Sequence, residues 1–170
     1  GHVDDVHFDP LPGRLKRIGS LYGFWQASWV VVKFLSQALC TGWRFQEYNR
    51  CCRFCGAFRD RQSHFTECAL LVEAVATITR RMNMCRDITV DGSIRWERLL
   101  LVDGRDRAAI DDTTRSVICE GIAYAHNQAR TQGIVFNLST LTEAITAKIK
   151  LASAKSRKFA IDAQIYAFGA

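Results

Sequence analysis

Residues 51–68 read CCRFCGAFRDRQSHFTEC and gather four of the chain's seven cysteines and one of its four histidines into one short window. Within it Cys52, Cys55, His64 and Cys68 follow the spacing C-x2-C-x8-H-x3-C. Two cysteines three positions apart flank a tight turn and can offer both thiolates to one ion. Gly56, directly behind the second, tolerates the positive φ that such a turn requires. His64 and Cys68, four apart, share one face if they open a helix. A turn and a helix together can close a tetrahedron, and three sulfurs with one nitrogen favour Zn²⁺ over hard cations. Four protein ligands leave no open coordination position, so the expected zinc is structural rather than catalytic. Cys51 competes with Cys52 for the first place, although its spacing to Cys55 is less regular. The plainer alternative, buried thiols without a metal, suits Cys40, Cys85 and Cys119, which read as core residues.

Outward from this window the chain reads as mostly α. Phe65, Leu71, Val75, Ile78 and Met82 recur at threes and fours, which predicts a helix over 64–84 ending on Arg80 and Arg81. Upstream, Trp25 to Leu39 reads as a buried helix closed by Gly42, with Trp25, Trp29, Val32 and Leu39 on its deeper face. Downstream, VDGS at 90–93 and VDGR at 102–105 are turn signals around a short piece, IRWERLLL. A long helix is expected from about Asp106 to Arg130, with Asp106, Asp111 and Asp112 at its positive end. A last helix follows the cap residues Asn137 and Ser139, with Leu138, Leu141, Ile145, Ile149 and Ala152 on one face. The expected organisation is an extended arm over 1–17, a helical domain over 18–135 with the embedded zinc knuckle at 51–68, and a basic helix and tail over 136–170.

The totals fit that outline. With 170 residues, 48% of them apolar, the chain can build one domain with its own core, so a metal is needed only to fold a local segment. A net charge of +6 and a pI near 9.1 make polyanions the default partner through counterion release. An odd number of cysteines, clustered in one window, suits a reducing intracellular compartment better than a secreted disulfide framework. No apolar run reaches membrane-spanning length and no signal peptide is visible.

The basic residues are unevenly spread. Arg44, Arg50, Arg53, Arg59 and Arg61 precede and enter the knuckle, with Trp43, Phe45, Tyr48, Phe54 and Phe58 between them. Arginines for phosphates and aromatic rings for unstacked bases are the chemistry of single-stranded RNA recognition. Packing of Phe54 or Phe58 into the knuckle's own small core is the competing assignment. A second basic face, Lys148, Lys150, Lys155, Arg157 and Lys158, runs along the last helix and is either a phosphate surface or a solvated one. No catalytic constellation is found: Asp4 and Asp5 read as a solvated acidic arm, Asp111 and Asp112 as helix N-terminal acids, and His126 as a helix-face histidine without a nucleophile beside it. No glycine-rich phosphate loop and no small-molecule site is expected.

The stretch LSQALCTGWRFQEYNRCCRFCGAFRDRQSHFTECALL, residues 35–71, resembles the C-terminal zinc-knuckle region of non-LTR retrotransposon reverse transcriptases. That region typically shows a helix ending in a small-Thr-Gly or Thr-Ser type turn, an RF or similar pair, CxFCG, a polar spacer with Asp or Glu, HF or HY, and a closing Cys. GIAYAHNQAR at 121–130 is similar to the helix that follows it, so the resemblance covers about 30–132. It implies the same ligands, Cys52, Cys55, His64 and Cys68. A polymerase palm needs spaced carboxylates binding two metals, and fewer than fifty residues separate HVDDVHF at 2–8 from the knuckle. The expected function is therefore a non-catalytic, zinc-stabilised RNA-binding protein of retrotransposon origin. Its expected place is structural, among neighbouring proteins of a ribonucleoprotein such as a mitochondrial ribosome. The alternatives are the nucleic-acid-binding end of an active reverse transcriptase and a zinc-supported protein–protein adaptor.

Overall fold

A computed structural model describes residues 11–82, 84, 88–101 and 109–163. The described chain is mostly helical, in the order α1 (Leu11–Tyr22), α2 (Trp25–Leu35), α3 (Gln62–Phe65), α4 (Ala69–Arg81), β1 (Thr89–Val90), β2 (Ser93–Ile94), α5 (Trp96–Leu99), α6 (Ala109–Gln132), α7 (Leu138–Lys155) and α8 (Arg157–Ala163). Helix α6 is the axis: α7 packs along it, α2 packs on it as well, and α4 lies against α7. The metal window sits between α2 and α4, and its loop reaches the C-terminal half of α6.

Helix α6 is buried on most of its circumference, polar residues included. Thr113, Thr114 and Ser116 survive there because each hydroxyl donates to the carbonyl four residues back, at 2.5, 2.8 and 2.9 Å. Gly121 lets α7 approach closely, since a Cβ there would lie 3.0 Å from Cα of Ile145. Gly121→Ala is therefore expected to lower the melting temperature. Overpacking against main chain that cannot rotate away costs about 1–3 kcal/mol, more than the gain of about 1 kcal/mol in helix propensity. A thermal melt that rises would contradict this packing.

Helix α7 opens on a capping box: Asn137 Oδ1 accepts from Thr140 N and Thr140 Oγ1 accepts from Asn137 N, both at 2.9 Å. Leu141, Ile145, Ile149 and Ala152 are buried as the periodicity predicts, whereas Leu138 is exposed. Leu141, Ile145 and Ile149 join the same apolar cluster as α4 and α6, and Phe159 of α8 meets the rings of Tyr22 and Phe24 edge-on.

Helix α1 begins at Leu11, inside the stretch expected to be extended. Pro12 falls in the first turn, where no intrahelical partner awaits its missing N–H. Residues 1–10, with Asp4 and Asp5, lie outside the described residues, as do Cys85, the 102–105 turn signal and Asp106. Arg14 is buried and places Nε 3.9 Å from Asp112 Oδ2, while Arg17 Nη2 donates to the same oxygen at 3.3 Å. Asp112 is thus a buried anchor for α1 as well as an acid in the first turn of α6.

Helix α2 stops at Leu35, short of Leu39 and Gly42. Ser36 Oγ takes the Val32 carbonyl at 2.7 Å and Gln37 turns to φ 58. Its deep face is Ala27, Val30, Val31 and Phe34, while Trp25 and Trp29 are each 56% exposed. Trp25 instead lies across Gly19, where a Cβ would come within 2.2 Å of the indole, so the ring covers α1 from outside.

The helix expected over 64–84 is two helices, α3 and α4. Thr66 O, which would continue the helix by accepting from residue 70, accepts from Ile94 N at 3.0 Å, and Thr66 Oγ1 accepts from Trp96 Nε1 at 2.8 Å. The partner segment is the β1–β2 hairpin, with Thr89 opposite Ile94 and Val90 opposite Ser93. Its two-residue turn is Asp91-Gly92, both at positive φ, as VDGS predicts.

Candidate metal centre

The break between α3 and α4 sets the ligand geometry. Cys52 and Cys55 lie on a short loop closed by Cys52 N–H donating to Ala57 O at 2.5 Å and Gly56 N–H to Cys52 O at 2.9 Å, with Gly56 at φ +80. His64 sits in the single turn of α3, and Cys68, extended at φ −65 and ψ 108, is the N-cap residue of α4. The two therefore do not share one helix face. The chain bends between them, which turns both toward the loop.

Cys52 Sγ and Cys68 Sγ are 3.9 Å apart, Cys55 Sγ and His64 Nε2 are 3.1 Å apart, and all four ligand atoms lie within 4.8 Å of one another. A tetrahedron with metal–sulfur bonds of about 2.3 Å has edges of about 3.8 Å. The Cys52–Cys68 separation already matches that edge and no pair exceeds it by more than about 1 Å, so the cluster can close around one ion with small shifts. Cys51 is outside it: its N–H turns to Asn49 Oδ1 at 3.0 Å. Cys119 is buried as a core thiol, but Cys40 is exposed, because the chain has left α2 before reaching it.

The thiols compete for protons in a way that a cation would resolve. Cys52 is pushed up, first by its hydrogen bond to Cys68 and then by burial. The same hydrogen bond holds Cys68 down, and burial raises Cys55. A divalent ion held by Cys52, Cys55, His64 and Cys68 would take the place of those protons and stabilise all three sulfurs as thiolates.

Beside the cluster stands a polar hub. Asp60 is fully buried; its Oδ2 accepts from Gly42 N at 2.6 Å, and its Oδ1 accepts from Arg53 N at 3.4 Å and lies 2.8 Å from His126 Nε2. Gly42 is required there, since a Cβ would sit 2.9 Å from Asn49 O and 3.2 Å from Asp60 Oδ2. His126 is a buried strut from α6, packed on Phe54 and Phe65, and not a surface histidine. Burial raises the Asp60 carboxyl, but the hydrogen bond and charge of His126 and the N–H groups of Gly42 and Arg53 outweigh it. The group is held below the ordinary carboxylate value.

The basic residues expected to contact nucleic acid fall into two sets. Arg44 and Arg59 are exposed and Arg50, Arg53 and Arg61 half-buried, all on the knuckle side. Arg53 is engaged: Nη2 pairs with Glu47 Oε2 at 3.0 Å and Nε lies 3.8 Å from Asp60 Oδ2. Phe54 is buried against Phe65 and Phe136, whereas Trp43, Phe45, Tyr48 and Phe58 are exposed. The C-terminal set is less uniform. Lys148 lies 4.0 Å from Glu120 Oε1 and over the Tyr124 ring, and Lys158 is 3.6 Å from Asp162. Lys150, Lys155 and Arg157 remain exposed. Two functional neighbours carry no local sequence signal: Arg130, which pairs with Glu47 and lies over Phe45, and the Asp60–His126 link.

Among the described residues no helix is long and apolar enough to cross a membrane. No family model matches the chain, and neither a curated protein nor a solved structure matches it.

Proposed function

We propose that the chain is a non-catalytic, zinc-stabilised RNA-binding protein, related to the knuckle region of retrotransposon reverse transcriptases and serving as a structural part of a ribonucleoprotein. The observation that carries this reading is the Cys52, Cys55, His64 and Cys68 cluster, within 4.8 Å, at the base of a loop bearing arginines and exposed rings. The donor set suits Zn²⁺. A closed ion is a clamp: it fixes the loop without supplying an open coordination position for chemistry. The knuckle-side cations then face phosphates, and Lys150, Lys155 and Arg157 form a second contact surface. A reducing compartment keeps the thiolates available, and a mitochondrial ribosome or similar assembly supplies structured RNA and protein neighbours.

Purified with its zinc, the protein is expected to bind RNA with an affinity that falls steeply as salt rises, because each phosphate contact releases counterion. RNA should accompany it when the native particle is isolated. Affinity that stays flat with salt would overturn the reading. A second reading, a protein–protein adaptor, is favoured by one feature: Trp25 and Trp29 stand exposed beside Pro12, Leu15 and Val32. A native particle holding partner protein and no nucleic acid would decide for it.

A further inference from the structure

Two rings of the knuckle loop each carry a pair of guanidiniums. Arg50 and Arg61 lie over Trp43, with Cζ 5.7 and 5.4 Å from the ring centroid. Arg44 and Arg130 lie over Phe45 at 5.0 and 5.4 Å. The two groups are contiguous on both sides. Arg44, Arg61 and Trp43 line one shallow concavity with Gln62. Glu47 joins the others, its carboxylate paired with Arg130 and its backbone oxygen accepting from Arg50 Nε at 3.2 Å.

We propose that Trp43 and Phe45 act as splints rather than as base-stacking platforms, and that they hold Arg44, Arg50, Arg61 and Arg130 as one preordered track for successive phosphates of a single-stranded nucleic acid. This rests on the RNA-binding reading above and assigns its contacts. A guanidinium lying on a ring keeps its edge donors directed outward, toward a phosphate. A free arginine loses its rotamer freedom when it binds, whereas a splinted one has lost much of it already, so affinity is gained without a new contact. A ring that already carries two guanidiniums offers a base less of its face than a bare one does. Tyr48 and Phe58, both well exposed, have none over them among the described residues, so bases stack there. Glu47 and Asp60 pair with Arg130, Arg53 and His126, and the arginines of this surface outnumber the two carboxylates, which leaves its charge positive. Arg44, Arg50 and Arg130 each spend one donor inside the protein, on Ala38 O, Glu47 O and the Glu47 carboxylate, and Arg61 Nε is buried, so it is the remaining guanidinium donors that meet phosphate.

The test is a salt series of binding to a twelve-nucleotide oligouridylate, with zinc content and far-UV circular dichroism confirming that each variant is folded. Arg130→Gln should reduce the slope of log affinity against log salt by about 0.7, the loss of one single-strand phosphate contact, while Arg130→Lys should retain it. Phe45→Leu keeps every charge, so it should weaken binding by about fivefold with the slope unchanged. In an Arg44→Gln, Arg130→Gln background the same Phe45→Leu change should cost almost nothing, because its clients are gone. Equal losses in both backgrounds would make Phe45 a base-stacking ring and overturn the splint. A full slope in folded Arg130→Gln would remove Arg130 from the track. A polyglutamate peptide that competes as well as the oligonucleotide at equal charge would overturn nucleic acid as the ligand of this surface. Failure of the zinc-loaded wild type to bind the oligonucleotide at low salt would bring down the RNA-binding reading itself. The variant outcomes touch only the track.

Discussion

Cys68→Ala is expected to give protein that holds no zinc and has lost the fixed conformation of residues 42–65, while α4, α6 and α7 stay helical. The wild type should carry about one zinc per chain. Cys68 Sγ is fully buried at the junction of loop and helix, so the change removes the ligand that ties the loop to α4. Besides the ion, the loop is tied by main-chain bonds such as Trp43 N–H to Asp60 O, Cys52 N–H to Ala57 O and Asp60 N–H to Arg50 O, and by the Asp60 hub, none of which joins the Cys52–Cys55 turn to the start of α4. Structural zinc sites are worth about 10–16 kcal/mol of apparent binding free energy in small peptides, and that energy is the folding energy of the segment. The helical core rests instead on Leu71, Val75, Ile78, Ile118, Ile122 and Ile145, which pack within the apolar cluster that Cys52 and Cys68 join. Metal analysis, together with trypsin cleavage at Arg50, Arg59 and Arg61, separates the two parts. Cys51→Ala, one residue before the ligand Cys52, should keep its zinc. Full zinc occupancy in Cys68→Ala would sink the ligand assignment.

The residues that come together over short separations were legible in the sequence. The membership of the cluster Cys52, Cys55, His64 and Cys68 was legible from spacing, although a bend between α3 and α4, and not the shared helix face that the spacing suggested, turns His64 and Cys68 toward the loop. The faces of α4 and α7 follow from period, and VDGS from turn chemistry. What the sequence concealed depends on contacts across long separations. The helix over 64–84 breaks because Ile94 and Trp96 claim Thr66, and no local pattern announces that. Trp25 and Trp29 have the hydrophobicity of core residues, yet a glycine on α1 lets one of them pack from outside. Asp60 and His126, separated by 66 positions, meet only because α6 passes behind the knuckle. An acid in the spacer and a histidine in a late helix are each ordinary on their own.

Asp60→Ala is expected to destabilise the protein by about 3–5 kcal/mol, the usual cost of removing one partner from a buried charged or hydrogen-bonded set. The variant leaves Gly42 N–H and His126 Nε2 without the acceptor that both now share, and it frees Arg53 from one of its two carboxylates. The zinc ligands are untouched, so metal should still bind, and this distinguishes the variant from Cys68→Ala. Its visible effect should be a lower melting temperature together with loss of order in the Gly42–Arg50 turn, where the arginine track begins. The pH dependence gives the sign. Because the folded carboxyl is held below its ordinary value of 3.8, Asp60 contributes its full stability at every pH above that value. The contribution is lost only as pH falls below it, through the folded value. The gap in melting temperature between wild type and Asp60→Ala should therefore stay constant from about pH 7 to about pH 5 and close only in stronger acid. Ligand protonation weakens the metal site in both proteins alike as pH falls, so it lowers both melting temperatures without changing their difference. A gap that closes above pH 5 would mean that the hub is held by something other than the Asp60 carboxylate.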